Sequence, residues 1–236
     1  MATPPSGILP LHKPEGPTSH DMVALARRSL GIRRIGHGGT LDPLAEGLLL
    51  LLVGEATRWF DALRHHPKSY LATIRLGERT DSGDRAGAVV ARSEVPPLAS
   101  ADIERALAPL RGRIEQRIPA YSAAKHRGEA FHRIARRGET PPERLAPTQV
   151  HRLALESWDT PQATVTAVVS SGTYLRALAE AFGRRLGVPA HLRALVRTRI
   201  GPFRVEDALG ADALRGMDRT GLLEHLQGLE GARHSR

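Results

Sequence analysis

The 236-residue sequence contains no cysteine, which excludes disulfide bonds, thiolate metal sites and cysteine nucleophiles. Aromatic residues are also scarce, at 4% of the chain. The longest apolar run, residues 48–53, is far too short to span a bilayer. Because the first residues also lack the basic and apolar regions of a signal peptide, we expect a cytoplasmic protein with no membrane association.

Lysine is scarce as well: Lys13, Lys68 and Lys125 are the only lysines among 34 lysine and arginine residues. Acidic residues number 25, so the formal net charge is +9 with histidine neutral. An excess of positive charge in a chain of this size favours a polyanionic partner, most often a nucleic acid. A well-solvated basic surface would give the same composition.

The most unusual stretch is residues 36–47, G-H-G-G-T-L-D-P-L-A-E-G, which holds four glycines around a single aspartate. Glycine permits backbone conformations that a side chain forbids, whereas Pro43 restricts both itself and Asp42 before it. Leu41 and Leu44 are expected to anchor the loop in a core. The pattern predicts a loop that holds the Asp42 carboxylate in one orientation, although a surface turn is also rich in aspartate and glycine.

Hydrophobic periodicity predicts a chain of mixed strands and helices. We expect strands starting at Ile8 and over residues 48–53, 68–76, 88–92, 150–158 and 163–170. We expect five helices: one capped by Thr18 or Ser19, one over residues 55–65, one starting at Ser100, one over residues 129–137 and one starting at Ser170. Residues 111–145 include the fourth predicted helix and are rich in arginine, with aromatic and histidine rings between the arginines. We call these residues the basic segment. Charges for phosphates and flat faces for bases are what an RNA surface needs, although its arginines taken singly fit a solvated helix.

The stretch 36–47 resembles the catalytic loop of the bacterial TruB-type tRNA pseudouridine synthases, and further motifs of that family occur in its order. They are L-H-K-P-E-G-P-T-S (11–19), T-D-S-G-D-R-A-G (80–87), P-A-Y-S-A-A-K-H-R-G (119–128), G-T-Y-L-R (172–176) and L-V-R-T-R-I-G-P-F (195–203). The sequence departs from the family's pattern at His12, where aspartate is commoner, and at Ser171, where lysine is frequent.

The resemblance, which covers residues 7–203, implies an α+β fold: a central mixed, largely antiparallel sheet flanked by helices, with the basic segment as an RNA-binding thumb insertion. It implies a single catalytic domain over residues 1–236. Residues 204–236 are expected to form a short, weakly helical tail with no second RNA-binding domain. We expect a monomer.

The implied activity is the isomerisation of the T-loop uridine at position 55 of tRNA to pseudouridine. The base must be flipped out, detached from its sugar at N1 and reattached at C5, which requires no cofactor and no metal. An ionised carboxylate can act as the nucleophile or stabilise positive charge on the sugar, and the sequence leaves open whether Asp42 attacks sugar or base.

The resemblance implies that Arg176 pairs with the catalytic Asp42. The site also needs an aromatic platform for the flipped base, and Tyr70 is the candidate, although the usual place of such a residue is the core. The expected RNA-binding residues are His37, Lys13, Tyr121, Lys125, Tyr174 and Arg197.

Other functional classes are less well supported. A non-catalytic RNA-binding or tRNA-folding protein on the same scaffold fits the composition equally well, but the catalytic residues argue against it. A metal hydrolase is disfavoured because the 11 histidines form no H-E-x-x-H motif, and no nucleotide-binding glycine motif is present.

Overall fold

Strands and short helices alternate along the computed structural model, which describes residues 4–228. Within these residues the strands are β1 (Gly7–Lys13), β2 (Ile35–His37), β3 (Glu46–Val53), β4 (Lys68–Leu76), β5 (Glu78–Thr80), β6 (Val89–Arg92), β7 (Gly112–Arg117), β8 (Lys125–His126), β9 (Glu129–Ala130), β10 (Leu145–Asp159), β11 (Gln162–Val169), β12 (Ala190–Ile200), β13 (Phe203–Arg204) and β14 (Leu209–Gly210). The α-helices are α1 (Ser19–Leu30), α2 (Phe60–Arg64), α3 (Ser100–Leu107), α4 (Phe131–Arg136), α5 (Leu175–Arg185), α6 (Ala211–Gly216) and α7 (Arg219–Glu224), and 3₁₀-helices occupy Gly54–Trp59, Ala108–Leu110 and Val205–Asp207.

The fold is α+β, with a mixed and largely antiparallel main sheet and flanking helices, which confirms the predicted fold class. The chain divides into two compact units: unit 1 holds the residues up to Tyr70 and those from Val196 onward, and unit 2 holds Leu71–Leu195. That the whole chain acts as one catalytic domain stays a prediction. No helix of the described part of the chain is long and apolar enough to cross a membrane.

Unit 1 is built around β3, whose run of leucines is buried on both faces. β3 pairs antiparallel with β1, which in turn pairs parallel with β14, and its start pairs parallel with β12 through Arg197 and Gly47. Alternate residues face two separate cores. Leu49 and Leu51 pack with α1, whereas the neighbouring leucines pack with residues of α2, β12 and β13. The sequence of a strand buried on both faces is a continuous run of apolar residues, because neither face contacts water.

Helix α1 forms where its capping residues predict. Thr18 is the N-cap: its hydroxyl accepts from the Asp21 N–H at 3.1 Å, and the Asp21 carboxylate accepts from the Thr18 N–H at 2.8 Å. This reciprocal capping box satisfies donors that have no partner inside the helix. Gly31 ends the helix in the left-handed region at φ 65°, which glycine adopts without strain.

The segment predicted as a tail belongs to the core of unit 1 as far as the structure describes it. Leu214 and Leu222 are fully buried in the same cluster as α1. The Arg219 guanidinium donates to the Leu30 carbonyl at 2.9 Å, and Gln227 pairs with Ile8 through the backbone. The expected weak helicity is present in α6 and α7, but this part of the chain is not a separate tail, because its apolar side chains pack against the first helix. The rest of the predicted tail, residues 229–236, lies outside the described residues.

Unit 2 has the strand order β4-β11-β10-β7, with β10 antiparallel to both of its neighbours. The two ends of the basic segment belong to this sheet, since β7 pairs with the start of β10. The predicted helix 129–137 is shorter, because residues 129–130 pair with 125–126 in a small hairpin before α4 begins. Ala99 rather than Ser100 is the N-cap of α3, and the predicted helix 55–65 divides into a 3₁₀-helix followed by α2.

Candidate active site

The loop that carries Asp42 is fixed on both sides of that residue by hydrogen bonds within unit 1. The buried hydroxyl of Ser19 accepts from the Leu41 N–H at 2.8 Å and donates to the Leu41 carbonyl at 3.1 Å. The Ala45 N–H donates to the Asp42 carbonyl at 3.0 Å, and the Gly16 N–H donates to the Pro43 carbonyl at 2.8 Å. Asp42 itself is half-buried on this restrained backbone. The predicted orienting function of the loop therefore has a concrete basis in its contacts.

Lys13 lies beneath this loop and is fully buried. Its ammonium donates to the carbonyls of Pro14 and Pro17, each at 2.8 Å, and to that of Pro43 at 3.5 Å. Burial lowers the pKa of Lys13 to about 8, helped by the charge of Arg197 and opposed by that of Asp42. The charge of Lys13 is therefore close enough to Asp42 for the two groups to interact.

Arg197 is another buried cation of unit 1, with 1% of its surface exposed. Its guanidinium donates to three backbone carbonyls: Nε to Leu48 at 2.7 Å, and the two terminal nitrogens to Thr40 and Gly39 at 3.1 Å each. Lys13 and Arg197 thus face inward and bond backbone oxygens, which favours a role in holding the loop. Their predicted contact with RNA stays a prediction.

His37 closes β2 and is half-buried beside His20, with ring centroids 5.9 Å apart in an edge-to-face arrangement. Its Nδ1 accepts from the Gly39 N–H at 3.4 Å. Burial lowers the pKa of His37, and the positive charges of His20 and Arg197 lower it further, so the ring is neutral near pH 7. A neutral ring beside the loop suits the predicted contact with an RNA base.

Tyr70 lies in β4 and is half-buried, on the side of the strand that also carries the buried Ala72 and Ile74. The alternation predicted from the sequence is therefore present. Its proposed contact with a flipped base stays a prediction.

In unit 2, Arg176 lies almost completely buried at the start of α5. Its terminal nitrogens donate to the Ser82 carbonyl at 3.0 Å and to the Tyr121 carbonyl at 2.8 Å, and its Nε lies 3.7 Å from a carboxylate oxygen of Asp84. It points away from the apolar stripe of the helix, as the sequence predicts. Within unit 2 it ties the acidic loop 80–87 to the basic segment, while its pairing with Asp42 stays a prediction.

Asp84 was not assigned a role from the sequence, although its motif was recognised. The carboxylate is 7% exposed and accepts from the Ser82 hydroxyl at 2.8 Å and the Ala86 N–H at 3.0 Å. Ser19 was considered only as a helix cap. Both residues lie inside recognised motifs, which is the signal that the sequence offers. The residues that they hold, Leu41 for Ser19 and Arg176 for Asp84, are distant in sequence.

The remaining candidates of unit 2 differ in exposure. Tyr174 is anchored by the buried Gln116, whose amide accepts from the Tyr174 N–H at 3.0 Å and donates to the Tyr174 carbonyl at 3.3 Å. Tyr121 is half-buried, whereas Lys125 is exposed in the hairpin β8–β9. That hairpin turns through Arg127 and Gly128 at φ 49° and 85°, the two positive values of a tight primed turn.

Comparison with known proteins gives consistent matches. Residues 27–175 match the family described as TruB family pseudouridylate synthase (N terminal domain). A protein of Bordetella avium named tRNA pseudouridine synthase B is 42% identical over 219 residues, which cover 91% of this chain and 88% of the relative. A protein of the same name from Opitutus terrae is 41% identical over 211 residues, covering 89% of this chain and 88% of the relative.

Solved structures give the same fold. A chain in the structure "Crystal Structure of a Cbf5-Nop10-Gar1 Complex" superposes with a TM-score of 0.74 at 29% identity, covering 96% of this chain and 61% of that chain. A chain in "Structure of H/ACA RNP bound to a substrate RNA containing 2'-deoxyuridine" gives 0.71 at 25% identity, covering 98% and 67%. This chain thus spans about three fifths of the first of these solved chains. The family match takes in more than half of the sequence. The chain belongs to the TruB family of pseudouridylate synthases.

Proposed function

We propose that the protein is a tRNA pseudouridine synthase that converts the T-loop uridine at position 55 to pseudouridine, with Asp42 as the essential carboxylate. The restrained loop around Asp42 carries the proposal, because a carboxylate that reacts at one atom of a bound nucleotide must be held in one place. Relatives named tRNA pseudouridine synthase B support tRNA as the substrate.

The reaction breaks the bond between N1 of the base and C1′ of the sugar and forms a bond from C5 to the same carbon. The proton leaves C5 and N1 gains one, so the product is an isomer of the substrate and no oxidant or co-substrate is consumed. The Asp42 carboxylate supplies either the nucleophile or the stabilising negative charge. Arg176 is the fixed cation that favours the ionised form of Asp42 against desolvation by the base.

Flipping the base out of the T-loop exposes both of its faces. We assign Tyr70 as the platform for the flipped base and His37 as a ring that occupies the space left behind. Lys125, Tyr121 and Tyr174 are the proposed RNA contacts of unit 2, with the basic segment closing over the T-stem-loop. The protein acts as a cytoplasmic monomer in this proposal.

The direct test is incubation of the protein with an unmodified tRNA transcript, followed by mapping of pseudouridine. Asp42→Asn keeps the shape of the side chain but removes its charge, so product should fall to background while tRNA binding survives. Asp212→Asn, which changes an exposed carboxylate of unit 1, is the matched control and should retain full activity.

Pseudouridine at another position would contradict the assigned substrate site. Substantial turnover by Asp42→Asn would remove Asp42 from its role. Tight tRNA binding by the wild type without product would favour the non-catalytic RNA-binding alternative.

A further inference from the structure

Arg197, in β12, contacts both ends of the loop that carries Asp42. Its backbone pairs with Gly47, where the loop enters β3, and a Cβ placed on Gly47 would overlap this backbone. Its side chain turns to the other end, where the guanidinium donates to the carbonyls of Gly39 and Thr40. The third donor, Nε of Arg197, holds the Leu48 carbonyl in the strand that follows the loop. Arg197 thus joins the two ends of the loop through a single side chain and its own backbone.

This arrangement is costly for a group that serves packing alone. A buried charge loses its hydration, and that loss is offset only by good hydrogen bonds and opposite charges. Among the described residues Arg197 forms no ion pair with a carboxylate, and two of the charged groups close enough to interact with it, Lys13 and Lys68, are also cations. An apolar side chain would fill this position in β12 without that cost, so the hydrogen-bonding geometry is the feature that distinguishes arginine here.

We propose that Arg197 is a positioning residue: its guanidinium fixes residues 39–40 of the loop relative to β3 and thereby sets the Asp42 carboxylate for reaction. The inference rests on the proposed function, which supplies the role of Asp42. It is an alternative to the direct contact with RNA that the sequence predicts for Arg197, because each nitrogen of the guanidinium already donates to the protein's own backbone.

Other side chains hold the residues on either side of Asp42. Ser19 holds Leu41 through both of its backbone groups, and Lys13 reaches the Pro43 carbonyl. These side chains act on residues 41 and 43, whereas Arg197 acts on residues 39 and 40. Without the fork, the side-chain hydrogen bond that remains to residues 39 and 40 in the described part of the chain is the long one from the Gly39 N–H to His37 Nδ1 at 3.4 Å. A lysine cannot replace it, because an ammonium on a flexible stem cannot donate to three carbonyls in a fixed plane.

The test compares Arg197→Lys with Arg199→Lys. Both variants keep the positive charge. Arg199 lies two residues further along the same strand, is exposed and donates to the Gly201 carbonyl at 2.6 Å. For Arg197→Lys we expect faster hydrogen exchange at the amides of residues 38–45 and a fall in kcat of about tenfold or more, since small misplacement of a reacting group is expensive. The Kd for unmodified tRNA should change less than about threefold, and Arg199→Lys should match the wild type in all three measurements.

Each other outcome overturns the proposal. Unchanged exchange in Arg197→Lys removes the loop-holding role. Faster exchange with normal kcat leaves a purely structural role, and weaker tRNA binding with normal kcat restores the predicted RNA contact. If the wild type forms no pseudouridine, the proposed function has failed and the assignment of Arg197 to catalysis falls with it, whereas the exchange data still decide whether Arg197 holds the loop.

Discussion

The loop that carries Asp42 and the basic segment differ in what their charged side chains bond. Around the loop, Lys13 and Arg197 are buried and donate to backbone carbonyls. In the basic segment, Arg137 pairs with two glutamates at the surface, and Arg117 lies 3.4 Å from Glu143 with both side chains exposed. Exposed ion pairs contribute little to stability and are readily exchanged for other partners. The comparison teaches that the loop is a fixed region held by contacts with the backbone, whereas the basic segment keeps its charges in surface pairs that the proposed RNA partner can replace.

The largest effect is expected at Arg176, which is buried like Arg197 but lies in unit 2. Arg176→Ala should lower turnover by about a hundredfold or more, because it removes a fixed cation from the proposed site. Arg176→Lys should recover only part of the activity, since a point charge replaces a planar fork. Single-turnover assays on tRNA, with denaturant unfolding to confirm the fold, give the measurement.

Arg184→Ala is the matched control, because Arg184 lies in the same helix with its side chain exposed. It should behave as the wild type. Near-normal turnover by folded Arg176→Ala protein would remove Arg176 from the site.

The backbone contact between the loop and β12 can be broken at Gly47, which has φ 102° and no room for a Cβ. Gly47→Ala should destabilise unit 1 by about 3 kcal/mol, from backbone strain and overlap together. Gly210→Ala is the control: Gly210 has no positive φ and open space around its Cα. Urea unfolding of the two variants measures the difference, and equal stabilities would mean that the loop can shift without loss.

The basic segment should respond in binding rather than in chemistry. Lys125→Ala removes an exposed charge, so tRNA affinity should fall a few-fold and the slope of log affinity against log salt should decrease by about one. Turnover at saturating tRNA should stay at the wild-type rate. A lower saturating rate with unchanged salt dependence would show that Lys125 belongs to the fixed region instead.

A smaller effect should appear in the pH dependence of stability. The folded-state pKa of Lys13 is about 8, below its ordinary value of 10.5, so between these values the unfolded chain binds a proton that the folded chain does not. The free energy of unfolding should therefore rise as pH increases from about 8 to 10.5. Lys13→Met should reduce this rise, whereas Lys125→Met at the exposed position should leave it unchanged. An identical rise in wild type and Lys13→Met would contradict the cost of burying the Lys13 charge.

Local patterns were sufficient for the elements that carry their own signals. The start of α1 at Thr18 or Ser19, the leucines of β3 and the alternation in β4 were all predicted, because each depends on residues close in sequence. β7 was missed, since G-R-I-E-Q-R alternates weakly and its main support comes from pairing with β10. A helical end was expected after Phe203, but its packing against α1 depends on residues at the other end of the chain.

The candidate site shows the same limit. The sequence identifies Asp42 by its loop and Arg176 by its motif. It gives the charges of Lys13 and Arg197 but not their partners, and basic residues in a basic chain predict RNA contacts. Their partners are carbonyl oxygens, which every residue possesses and no sequence pattern marks.

The division of unit 1 between two distant stretches of chain has a consequence for biosynthesis. Unit 2 is continuous in sequence, so all of its residues have been synthesised when Leu195 has been added. The loop around Asp42 is made early, but the residue that joins its two ends comes more than 150 residues later, as the separation of Thr40 and Arg197 by 157 positions records. During translation the loop around Asp42 therefore lacks its contacts with Arg197 until β12 has been synthesised, so unit 1 can be completed only after all residues of unit 2 have been added.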